Sequence, residues 1–132
     1  MKVFYAVVNK DKDSAFGMHF PDVPGCFSAS DTEEDLVSNA CDALICHLKG
    51  EETLPSASSI DSVRKMAAED LAEGAFLLAV PYIQSDSTVE RVNLSLEAGV
   101  LKAIDATAKA RNMTRSAFVA HSTRNEIEGR RQ

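Results

Sequence analysis

No apolar run in this sequence approaches the roughly 20 residues that a membrane-spanning helix needs, so no such span is expected. The start does not read as a secretory leader either: Met1 to Val8 holds one lysine, and an aspartate-rich turn follows. Cysteine is scarce. Cys26, Cys41 and Cys46 are odd in number and lack the paired spacing of a metal knuckle or a disulfide framework. Buried, reduced thiols in the cytoplasm are the expectation. His19, His47 and His121 complete no metal set with them: Cys41 and His47 fall on different faces of one helix, and Cys46 and His47 diverge. Neither a metal nor another cofactor is expected.

Positive charge is also short, but unevenly. Up to Thr88 there are six Lys/Arg against fifteen Asp/Glu, a balance of −9, whereas from Val89 onward there are eight against five, a balance of +3. An acidic body with a basic tail implies two modules with different partners. The basic one suits nucleic acid and the acidic one repels it. With 45% hydrophobic and 26% charged residues, a packed core is expected rather than disorder.

The acidic part reads as β-β-β-α-(α)-β. Lys2 to Val8 is apolar on both faces, as in a central strand covered on both sides or a strand covered by a partner. Asn9 to Asp13 is turn chemistry, and Ser14 to Phe20 returns with Phe16, Met18 and Phe20 on one face. Two prolines and Gly25 make residues 21–25 a rigid loop, after which Cys26 to Ala29 forms a short strand. Ser30 with Glu33, or Asp31 with Glu34, has the spacing of a capping box and predicts a helix start there. Leu36, Val37, Ala40, Cys41, Leu44 and Leu48 then follow helical periodicity until Gly50. A second helix is expected over Asp61 to Ala72, with Val63, Met66, Ala67 and Leu71 inward, and a strand over Ala75 to Pro81. Domain bounds of 1–82 and 90–132, with a linker over 83–89, follow from composition.

In the basic part, Arg91 to Leu96 alternates: Val92, Leu94 and Leu96 share one strand face, and Arg91, Asn93 and Ser95 share the other. A guanidinium, a carboxamide and a hydroxyl at every second position can read base edges in a DNA major groove, or can simply be the wet face of an edge strand. The following helices favour DNA contact. The first spans roughly Ala98 to Arg111 with Val100, Leu101, Ile104 and Ala108 inward. Asn112 and Met113 turn the chain, and Thr114 caps the second, with Arg115 and Ser116 in its first turn, where backbone N–H groups attract phosphate and Arg115 is expected to add a mobile positive charge. Ala117, Phe118, Ala120 and Ile127 offer that helix's apolar contacts. About 40 residues are too few for an independent core, and one strand has no partner, so two copies are expected to pair.

Residues 90–127, through "RVNLSL…VLKAID…ARNMTRSAFVA", resemble a ribbon-helix-helix domain of the methionine-repressor and Arc type, although Glu97 stands where that family often has proline. The resemblance implies paired strands in the major groove and a second helix whose start grips phosphate. "FPDVPGCF", residues 20–27, followed by "DTEE", residues 31–34, resembles the HicB antitoxin family. That likeness implies an N-terminal domain shaped like a partial ribonuclease H fold that binds the mRNA-cleaving toxin HicA, and a C-terminal domain that represses the operon. The α+β expectation therefore reads as a toxin-binding domain followed by a ribbon-helix-helix module. The partners would be a HicA-like toxin, operator DNA and a second copy of the chain, in a homodimer or higher oligomer, with no membrane involved.

Phe20, Asp22, Phe27, Glu33 and Glu34 are the candidate toxin contacts. A nuclease needs carboxylates converging on metals, but no acid lies in the first strand, and most of Asp22, Asp31, Glu33, Glu34 and Asp35 sit at a helix start. No catalytic residue is assigned and no enzyme is expected. The alternative is a stand-alone repressor whose acidic domain senses a small molecule, for which the sequence offers no convergent polar set.

Overall fold

A computed structural model describes residues 1–84, 86 and 88–130; Ser85 and Ser87 of the expected linker lie outside the described residues. The chain divides into two compact units, one of residues 1–84 with Glu128–Arg130 and one of Asp86–Ile127. The first contains β1 (Lys2–Lys10), β2 (Phe16–His19), β3 (Phe27–Ser30), α1 (Leu36–Leu48), α2 (Ile60–Met66), α3 (Ala68–Ala72) and β4 (Phe76–Tyr82); the second contains α4 (Ala98–Ala110) and α5 (Arg115–Ile127).

The four strands form one antiparallel sheet in the order β3-β2-β1-β4. β1 is central, as its two apolar faces require. Phe4, Ala6 and Val8 point to one side and join Phe16, Met18, Phe20, Val80 and Tyr82 against Leu36, Ala40, Cys41, Leu44 and Leu48 of α1. Burying each large side chain there contributes roughly 1.5–3 kcal/mol, so this contact dominates the unit's stability. Val7 faces the other way and is fully buried, as are Val63 of α2 and, nearly, Ala67. His19 pairs across the strands with Val7 and lies 4.0 Å from the Asp70 carboxylate of α3, so α3 reaches that second face.

Two expectations are corrected. The capping box does not form: β3 runs to Ser30, which pairs with Phe16, and the chain must leave the sheet before it can coil. The Ser30 hydroxyl instead donates to the Thr32 carbonyl at 2.6 Å and accepts from its N–H at 3.3 Å. α1 starts at Leu36 with no side-chain cap on Asp35, whose carboxylate accepts from the Thr32 hydroxyl at 3.0 Å. The helix expected over Asp61 to Ala72 breaks at Ala67 (φ −101°, ψ 17°). Val63 and Ala67 are buried and Leu71 is half-buried, while Met66, expected inward, is 53% exposed. Residues 88–97 carry no strand within the single chain, and the ladder expected there is one between two copies.

Candidate functional site

In the second unit, Arg91, Asn93 and Ser95 are all exposed. So are the apolar residues between them: Val92 is 70% exposed, Leu94 64% and Leu96 45%, joined by Val100 at 45%. Leu101, Ile104 and Phe118 are half-buried, Ala117, Ala120 and Ile127 are exposed, and Ala108 is the one residue in α4 and α5 that is fully packed away. One copy of this unit therefore leaves most of its apolar stripe in water. Glu97 precedes α4 at φ −59° and ψ 141°, a backbone that proline also adopts, and makes no side-chain cap.

The turn between the helices is fully specified by hydrogen bonds. Asn112 adopts φ 54°, the left-handed conformation that asparagine tolerates. Its N–H donates to the Lys109 carbonyl at 3.1 Å, and Met113 N–H donates to that of Ala108 at 2.8 Å, the paired closure of a Schellman motif. Thr114 then caps α5, its hydroxyl accepting from Ala117 N–H at 3.1 Å. Arg115 is not the mobile charge expected at this helix start, because α4 brings a carboxylate within its reach. Its Nε and Nη2 donate to the two carboxylate oxygens of Asp105, each at 2.8 Å. The hydrogen bonds from Arg115 hold the Asp105 carboxyl below its usual range and hold the guanidinium above its own. Ser116 is exposed beside this pair.

In the first unit, the stretch 20–26 is two successive β-turns with a proline at the second position of each. Val23 N–H donates to Phe20 at 3.0 Å, and Cys26 N–H donates to Val23 at 3.1 Å. Gly25 takes φ 85° in the second turn, and a Cβ there would lie 3.5 Å from His47 Cε1. The candidate contacts separate sharply. Phe20 is 2% exposed and fills the core, so no partner reaches its ring in this fold; Phe27 is 72% exposed. Asp22 is occupied internally: its carboxylate accepts from Ser58 N–H and from the Ser58 hydroxyl, both at 2.7 Å. Glu33 and Glu34 are exposed on the chain leading into α1.

Gly25, Cys26 and Phe27 line a depression with Ala43, Cys46 and His47 of α1, residues that local sequence signals did not mark as partners of Phe27. The thiols are mixed in setting. Cys26 and Cys41 are buried, but Cys46 is exposed, against the expectation for all three. Burial pushes the Cys41 thiol up to about 11, and burial with the neighbouring Cys46 raises Cys26. Among the described residues, no three His, Cys, Asp or Glu side chains come together as a metal site, and no helix is long and apolar enough to cross a membrane.

Residues 4–123 match the model of the HicB-like antitoxins of bacterial toxin–antitoxin systems. The chain belongs to that family. The crystal structure of the Burkholderia pseudomallei antitoxin HicB is 32% identical, with a TM-score of 0.57, over 93% of this chain and 96% of that one. A chain in the HicA3–HicB3 toxin–antitoxin complex is 28% identical, with a TM-score of 0.51, over 62% of this chain and 99% of that one. An uncharacterised 14.9 kDa protein from the rep–hol intergenic region of Haemophilus phage HP1 (strain HP1c1) is 26% identical over 108 residues, 78% of this chain and 80% of that protein.

Proposed function

We propose that this HicB-family antitoxin binds a HicA-like mRNA interferase in the cytoplasm and neutralises it by covering its active site, and that it also represses its own operon. The observation that carries the first part is the likeness to a chain of the HicA3–HicB3 complex, whose aligned share of this chain is comparable to the first unit. That unit is strongly acidic, and an enzyme that cleaves mRNA must present cationic groups to phosphate, so opposite charge speeds their encounter. Phe27, with Glu33 and Glu34, is the exposed part of the candidate contact set.

The second part rests on the exposed alternation at residues 91–96. Two copies pairing these segments antiparallel satisfy their backbones and cover Val92, Leu94 and Leu96. The opposite face then presents Arg91, Asn93 and Ser95 twice, as a two-stranded ribbon sized for the major groove. Thr114, Arg115 and Ser116, at the start of α5, meet phosphate.

Co-expression with the small reading frame beside this gene tests the antitoxin reading. The neighbour alone arrests growth, and this chain restores growth and retains the neighbour in a pull-down. A harmless or unretained neighbour refutes it. For the operator, Arg91→Ala with Asn93→Ala abolishes sequence preference and leaves the oligomer intact; an unchanged preference refutes base readout.

A further inference from the structure

The bidentate pair between Arg115 and Asp105 bears on how the start of α5 meets DNA, and its meaning depends on the DNA-binding role proposed for the second unit. Arg115 occupies the first position of α5, directly after the capping Thr114. Asp105 lies ten residues earlier on α4, across the closed turn. A carboxylate binding a guanidinium through Nε and Nη2 uses the same fork geometry as a phosphate would. Both side chains stay about half in water, at 58% and 45% exposure, so the pair is screened and open to exchange rather than a buried fixture.

We propose that Asp105 is an internal competitor for DNA phosphate: it occupies Arg115 in the free chain, and docking on DNA requires Arg115 to exchange that carboxylate for a phosphate oxygen. Asp105 thereby lowers the affinity of the module for DNA. It also blunts the salt dependence, because an arginine taken from a carboxylate contributes less net neutralisation of the DNA than an unpaired one. The device keeps repression weak enough to be relieved without altering Arg91, Asn93 or Ser95, the residues that read sequence.

The test is a double-mutant cycle on the full chain. Binding is measured to a duplex of the region upstream of the gene, and to a scrambled duplex of equal length and composition, over a range of salt. Asp105→Asn tightens binding several-fold at low salt and steepens the log–log salt slope by up to about one for each Arg115 engaged. In an Arg115→Ala background, the same substitution loses most of that gain. If Asp105→Asn tightens binding equally in both backgrounds, Asp105 acts as a general negative charge and the exchange mechanism is wrong. If it weakens binding, the pair positions Arg115 instead of competing for it, and the proposal again fails. If the unaltered chain shows no preference for the upstream duplex, the operator-binding role itself falls, and the exchange mechanism with it. Circular dichroism of each variant separates these outcomes from misfolding.

Discussion

Asp22 and Ser58, 36 residues apart, are joined by two hydrogen bonds of 2.7 Å, one from the backbone N–H of Ser58 and one from its hydroxyl. The double turn over residues 20–26 is thereby fastened to the segment entering α2, where Ser59 caps the helix by accepting from Ser62 N–H. An acid that looked available for a partner is thus committed inside the fold. Asp22→Ala removes an ionised acceptor and strands the Ser58 N–H. It costs about 1–3 kcal/mol in urea unfolding, and Asp22→Asn, which keeps one acceptor, costs less. Equal stability of Asp22→Ala and the parent would show that the bonds contribute nothing.

The two phenylalanines that flank this loop behave oppositely. Phe20→Ala opens a cavity in the α1-facing core and costs about 3–5 kcal/mol in denaturant unfolding. Phe27→Ala, at a side chain 72% exposed, changes stability by less than about 0.5 kcal/mol. In a pull-down with the proposed toxin, Phe27→Ala weakens retention. Full retention removes Phe27 from the contact set.

For the second unit, Leu94→Arg places a charge on the face proposed to meet a second copy. Sedimentation of this variant shows a smaller species, and DNA binding falls with it, while the first unit keeps its fold. A variant that assembles like the parent refutes pairing through residues 91–96.

The buried thiol gives a pH dependence of known sign. Cys41 is raised from 9.0 to about 11 by burial, so above pH 9 the unfolded chain ionises this thiol while the folded chain does not. The stability that Cys41 contributes is therefore complete below pH 9 and is lost as pH rises toward 11. Comparing the pH profiles of the parent and Cys41→Ala between pH 8 and 11 isolates it; identical slopes would exclude the effect. The exposed Cys46 reacts with a thiol reagent in the native state, ahead of Cys26 and Cys41.

Much of the fold was legible because its signals are local. Alternation of Phe16 and Met18, continued by Phe20 just after the strand, marked which face of β2 turns inward, and proline placement predicted the rigid loop at 21–25. The turn at Asn112 and Met113 and the capping oxygen of Thr114 marked where α4 ends and α5 begins. The start of α1 was not legible, for an equally physical reason. Ser30, Asp31, Glu33 and Glu34 satisfy capping-box spacing, but Ser30 pairs with Phe16 in the sheet, and residues 31–35 bend and turn before α1 begins at Leu36.

The sequence by itself determined the order of β1 to β3, α1 and β4, the place of the α4–α5 turn and the alternation of residue types at 91–96, since each depends on backbone limits or side-chain spacing within a few residues. Tertiary structure alone decided which polar groups stay free. Asp22 went to Ser58 and Arg115 to Asp105, while Phe20 was buried and Phe27 was left in water. Those choices join residues ten or more positions apart. They depend on which surfaces the packed sheet and helices bring within hydrogen-bonding distance, and no local spacing encodes that.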